Sequence, residues 1–155
     1  MIYSEEIQKL TREVKEYALS HGAELVGIIT AESIDATPGH WIGWTVQADT
    51  QKTEDYMDNP ESIVVLGYQV WDDIHELAFP GKRERQPIYI KMRLYARRVL
   101  RFIQRQGYNA VVYPHLLSQK RMAQLAGIGS FGKNSLIINP KYGPWFRLHS
   151  VLTDA

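Results

Sequence analysis

The run Ser62–Val70, SIVVLGYQV, constrains the fold more than any other stretch of this chain. Its concentration of β-branched residues marks a strand at the centre of a sheet. Glu24–Thr30 (ELVGIIT) reads as a second buried strand, and Ala110–Tyr113 as a short one stopped by Pro114. Ser135–Asn139 and Phe146–Leu152 are expected to pair with each other through the turn Pro140–Pro144. Three helices fit between these strands. The first has Ser4 as cap, Glu5 and Glu6 in its first turn, and Gly22 at its end. Its Ile7, Leu10, Val14, Tyr17 and Ala18 recur at steps of three and four, which predicts one buried face. The longest runs from Pro87 to Gln106 and stops at Gly107, and a short one, capped by Ser118, covers Ser118–Leu125. Residues 35–60 read as a long loop with one short helix near Lys52–Met57. Helices and strands mix without strict alternation, so an α+β sheet with helices packed on it is expected, not a doubly wound parallel fold.

At 155 residues the chain is the size of one domain, spanning 1–155. It has no cysteine, so it cannot by itself build a disulfide, a zinc knuckle or a cysteine-held iron–sulfur cluster. No apolar run approaches the roughly 18 residues of a membrane span, and the N-terminus is acidic where a signal peptide is basic. A cytoplasmic address with no membrane partner is the expectation. The net charge of +1 conceals an asymmetry: residues 1–76 hold 15 of the 17 acids and 4 of the 18 bases. Either the two halves neutralise each other within one fold, or the basic half meets an anion.

The sharpest local signal is Ala126–Ser135, AGIGSFGKNS. Gly127, Gly129 and Gly132 satisfy the dinucleotide-binding spacing, and Gly127–Lys133 nearly satisfies the P-loop pattern. Both fail on context. A nucleotide loop leaves a strand and opens a helix, whereas these glycines follow a helix and lead into a strand. The P-loop also needs Ser or Thr directly after its lysine to reach Mg²⁺, and Asn134 stands there. What remains is a backbone able to approach something closely, with Lys133, Asn134 and Ser135 as polar anchors.

The stretch Leu125–Ala155, LAGIGSFGKNSLIINPKYGPWFRLHSVLTDA, resembles the corrinoid-binding domain of the epoxyqueuosine reductases and of their relatives, the reductive dehalogenases. Upstream, the SIVVLGYQV strand, the long helix beginning Pro87-Ile88-Tyr89 and the Gly107-Tyr108 turn fit the same family in order. The resemblance implies a nitroreductase-like fold, a mostly antiparallel sheet with helices packed on both faces. It implies base-off cobalamin as cofactor, held by Gly127, Gly129, Ser130, Gly132, Lys133, Asn134 and Ser135. It also implies an oxidoreductase domain fed by [4Fe–4S] clusters. With no cysteine here, those clusters are expected on a ferredoxin-like module that the family carries after this region, or on a partner chain. In epoxyqueuosine reductases an Asp ends the short strand before the glycine motif; Tyr113 occupies that place, and the reductive dehalogenases use a Tyr as proton donor. Tyr113 is thus the candidate catalytic residue, with His115 as a possible helper, against the alternative of a tyrosine that merely packs on the core.

Arg93, Arg97, Arg101 and Arg105 fall at steps of four along the long helix, opposite Met92, Tyr95, Val99 and Phe102. Such a ridge suits tRNA phosphates, the substrate of epoxyqueuosine reductases, or a solvated face balancing the acidic half. Asp72, His75 and Glu76 would share a helical face with metal-ligand chemistry, although such clusters are common on surfaces. Trp41, Trp44 and Trp71 offer walls for a planar cofactor or simply packing area. Three functional readings are therefore carried forward: a cobalamin-dependent reductive domain, acting on modified tRNA or an organohalide; a non-catalytic corrinoid carrier; and a nucleic-acid-binding domain using the arginine ridge.

Overall fold

The computed structural model describes residues 2–43, 46–70 and 87–155. Its elements, in chain order, are α1 (Ile2–Ser20), β1 (Leu25–Thr30), α2 (Ala31–Asp35), β2 (Trp41–Ile42), β3 (Ala48–Asp49), a 3-10 turn (Thr53–Asp55), β4 (Ser62–Gln69), α3 (Pro87–Arg105), β5 (Ala110–Val112), α4 (Gln119–Leu125), β6 (Ser130–Phe131), β7 (Ile137–Ile138) and β8 (Phe146–Thr153). The main sheet has four strands in the order β1-β4-β8-β5, every neighbour antiparallel.

Strand β4 is central, as its composition predicts, and is buried at six consecutive positions from Ile63 to Tyr68. Alternation splits those residues between two cores. Val64, Leu66 and Tyr68 pack with Val14 and Ala18 of α1 and with Met92, Ala96, Val99 and Ile103 of α3. Ile63 and Val65 pack with Ile34 of α2, Met122 and Ala123 of α4, and Ile128. Helices therefore cover both faces of an antiparallel sheet. Tyr68 is wholly buried, and among the described residues its hydroxyl has no hydrogen-bond partner. Burial, then the nearby Glu24 and Tyr95, raise its pKa far above the usual phenol range. A buried hydroxyl without a partner keeps its desolvation cost. Tyr68→Phe is expected to raise stability by about 1 kcal/mol, read as a higher denaturation midpoint.

The left-handed glycines close the helices as expected. Gly22 (φ +110) lets Ala23 N–H reach Ala18 O at 3.1 Å after α1, and Gly107 (φ +94) follows α3. Gly22 also has no room for a side chain, because a Cβ there would stand 2.3 Å from the Tyr95 ring. Four local expectations need correction. Helix α1 begins at Ile2, so Ser4 lies inside it, and Ile7 is exposed, since only the later turns of α1 meet the core. Ser118 occupies the cap position of α4, but its side chain makes no capping hydrogen bond. The strands around Ser135–Asn139 and Phe146–Leu152 do not pair with each other. Strand β8 pairs along its length with β4 and over Val151–Thr153 with β5, and β7 pairs back onto β6 instead. Gly132 and Ser135 (φ +61) turn that small hairpin, with Ser135 N–H on Gly132 O at 3.0 Å.

The segment 35–60 is less open than a bare loop. It contains the two-stranded β2–β3 ribbon and the 3-10 turn, whose Thr53 N–H and hydroxyl both donate to the Asp35 carboxylate. Trp41 is exposed on β2, whereas Trp44, Trp71 and the Asp72, His75, Glu76 cluster lie outside the described residues. Among the described residues, no helix is long and apolar enough to cross a membrane, and no group of three His, Cys, Asp or Glu could hold a metal ion.

Candidate ligand cleft

A cleft of about 280 Å³ opens at the end of the sheet where β5 finishes and β8 begins. Helix α3 lines it with Tyr89 and Met92, β8 with Phe146 and Arg147, α4 with Lys120, and the loop after β5 with Tyr113. Tyr113 is the first residue past the β5 ladder. Its N–H still donates to Ser150 O at 2.8 Å, but its φ of +52 takes the side chain out of the strand. A non-glycine residue in this region is strained, by about 1–3 kcal/mol, so the surroundings must hold it there. Its ring is 43% exposed and stands 4.5 Å from the ring of His149, tilted by 39°.

His149 is only 6% exposed, on the central strand β8. Its Nδ1 accepts the Ser150 N–H at 3.1 Å, so in the neutral ring the proton is on Nε2. Burial is the main reason its pKa falls to about 4, and the Arg93 charge presses the same way. The imidazole is therefore neutral at physiological pH. His115, the helper expected from proximity in sequence, meets Tyr56 edge-on at 6.3 Å instead. No periodicity in the sequence marks His149; only the register of β5 against β8 brings it to Tyr113.

The glycine motif leads into the hairpin whose Leu136 and Ile137 line this cleft. Gly127 (φ +72) ends α4 in a Schellman turn, with Ile128 N–H on Ala123 O and Gly127 N–H on Gln124 O. A Cβ on Gly129 would stand 2.6 Å from Ile138 O, so β7 occupies that space. A Cβ on Gly132 would meet the Ile138 side chain at 2.7 Å. Asn139, buried, ties the hairpin down by donating to Ile128 O and accepting from Lys141 and Tyr142 N–H. Gly129 is thus required by the protein's own packing, whereas at Gly132 the obstructing atoms are side-chain ends that can give way. Ser130, Lys133, Asn134 and Ser135 are exposed, with Phe131, Leu136 and Ile138 exposed among them. None of the residues 127–135 lines the cleft itself; the hairpin reaches it through Leu136 and Ile137, and Lys120 bridges the two by donating to Ser135 O at 2.9 Å.

The four arginines Arg93, Arg97, Arg101 and Arg105 are all exposed on α3, opposite the buried Met92, Val99 and Ile103. Arg93, at the cleft end, is the one whose charge reaches His149. Of the expected neutralisation between the halves, one cross-half ion pair stands among the described residues, Lys91 to Glu24 at 3.4 Å.

No family model matches the chain. It is 28% identical over 148 residues to the epoxyqueuosine reductase of Pseudomonas aeruginosa, covering 90% of this chain and 36% of that protein. Among solved structures, epoxyqueuosine reductase from Bacillus subtilis superposes with a TM-score of 0.71 at 20% identity. An epoxyqueuosine reductase bound to an epoxyqueuosine-modified tRNA stem loop gives 0.66, also at 20%. Each of these covers 96% of this chain and 46% of the other. A reductive dehalogenase whose structure suggests a B12-dependent mechanism gives 0.58 at 16%, over 91% of this chain and 18% of that one. The chain thus spans less than half the length of these relatives. In fold, and over 148 residues in sequence, it is similar to the epoxyqueuosine reductases, and it shares its fold with the reductive dehalogenases.

Proposed function

We propose that this chain is the base-off cobalamin-binding domain of an epoxyqueuosine reductase-like enzyme, with the nitroreductase-like arrangement its resemblance implies. The observation that carries this reading is the meeting of Tyr113 with Leu136 and Ile137, the residues that follow the glycine motif, at one cleft. The cleft, at about 280 Å³, is too small to enclose a corrin, so the fit rests on the open surface beside it. There Ser130, Lys133, Asn134 and Ser135 offer donors and acceptors for amide and phosphate side chains, and Phe131, Leu136 and Ile138 an apolar bed. When bound, cobalamin would supply a reducible cobalt that delivers electrons drawn from [4Fe–4S] clusters on a ferredoxin-like module or partner chain. Removing an epoxide oxygen as water takes two electrons and two protons. Tyr113, half-exposed at the cleft, is the group on this chain placed to give one of these protons to the departing oxygen, the second coming from solvent. The exposed Arg93, Arg97, Arg101 and Arg105 would meet tRNA phosphates outside the cleft.

Cob(II)alamin mixed with the protein is expected to show the base-off absorption and EPR spectra. No binding at concentrations well above micromolar would end this reading. With a low-potential reductant supplied, Tyr113→Phe should keep corrinoid binding and lose roughly 10²–10⁴ in turnover. Corrinoid binding with no turnover in the unaltered protein would point to the carrier reading. For the ridge, Arg97→Gln with Arg101→Gln is expected to lower the slope of log affinity for tRNA against log salt by about 2. An unchanged slope would return the ridge to a solvated face.

A further inference from the structure

We propose that His149 is the positioning residue of Tyr113, holding it out of the sheet and facing the cleft. The proposal rests on the reading of Tyr113 as the group that meets the ligand. Antiparallel β5 and β8 run in register from Ala110↔Thr153 to Val112↔Val151. One step further, Tyr113 and Ser150 stand opposite each other as a pair that would normally exchange two backbone hydrogen bonds. One of these is made, from Tyr113 N–H to Ser150 O at 2.8 Å. The Ser150 N–H is donated instead to the Nδ1 of His149 at 3.1 Å. His149 therefore satisfies a buried donor that the turn at Tyr113 takes out of the ladder, and so makes the left-handed conformation at Tyr113 tolerable.

The same imidazole also supports the side chain it releases. The ring of Tyr113 is 43% exposed, and its ring partner is His149 at 4.5 Å. His149 itself cannot easily move, because its backbone is paired with Leu66 of β4 and the residue is 6% exposed. One residue thus does two jobs, hydrogen-bond acceptor for the broken ladder and platform for the phenol. Asparagine can imitate the first job and phenylalanine the second, which makes them separable.

The test places a 3-fluorotyrosine at position 113 and follows its ¹⁹F resonance in the ligand-free protein, so it does not depend on corrinoid binding. In the parent protein the resonance is expected to be displaced by the imidazole ring and broadened by restricted motion. It should move to the position of a solvent-exposed tyrosine in His149→Ala and His149→Asn, and stay displaced in His149→Phe, in which the unsatisfied Ser150 N–H shows instead as a lower melting temperature than in His149→Asn. Where turnover is measurable, His149→Ala should leave corrinoid affinity within about twofold while turnover falls roughly 10²-fold, the size expected for a misplaced catalytic group. A resonance unmoved in His149→Ala would overturn the proposal. So would equal loss in all three variants in step with their melting temperatures, because that is the behaviour of a core residue alone. If cobalamin does not bind but the resonance behaves as expected, the proposed function fails and the positioning of Tyr113 stands.

Discussion

Gly129→Ala is expected to destabilise the fold by about 3 kcal/mol, the upper part of the range for forcing an extra carbon into a packed site. A Cβ there would lie 2.6 Å from Ile138 O and 2.9 Å from Ile138 C, and backbone cannot swing aside as a side-chain end can. The β6–β7 hairpin would have to open, and with it the wall that brings Leu136 and Ile137 to the cleft. Gly127 is the control. Its φ is +72 but nothing stands within 4 Å of its would-be Cβ, so Gly127→Ala should cost only about 1 kcal/mol. Gly127→Asn should cost still less, because asparagine tolerates the left-handed region. Chemical denaturation of the three variants reads the difference. Equal costs at the two positions would show that conformation, not close packing, is what the motif demands.

The second large effect is acid lability. The folded pKa of His149 is about 4, against an ordinary 6.5, because burial resists its charge. As pH falls, the unfolded chain takes up this proton first. The stability is fully present above pH 6.5, is lost progressively between about 6.5 and 4, and changes no further below that on account of this group. The full shift corresponds to about 3 kcal/mol. Carboxylates add their own acid sensitivity, so the quantity to measure is the difference between the parent and His149→Phe. The parent should lose about 2 kcal/mol more than the variant between pH 7 and pH 5. Parallel pH profiles would mean that the imidazole is free to take up a proton in the native state.

Much of the scaffold is legible in the residues. SIVVLGYQV announces a strand buried on both faces, and the left-handed turns fall at Gly22, Gly107 and Gly127, where the helical patterns stop. The glycine motif is legible as a helix-to-strand connection, which excludes the nucleotide readings. What the residues do not reveal is partner choice between strands. Ser135–Asn139 and Phe146–Leu152 are close in sequence and both strand-like, so local reasoning pairs them, but hydrogen bonding on two edges commits β8 to distant partners. The same non-local register hides His149. Its distance from Tyr113 along the chain carries no signal, whereas His115, two residues away, is sent by the turn toward Tyr56.

The place of β8 between β4 and β5 sets the order in which this molecule can be assembled. Val64 pairs with Val151, 87 positions later, and among the described residues β5 has no neighbour in the main sheet except β8. A nascent chain can form the β1–β4 pair early, yet the inner edge of β4 must then wait until β8 has been synthesised. During that interval an apolar strand offers unpaired backbone groups to any other chain nearby. Contacts this distant slow folding, and the waiting edge is where misassembly would start.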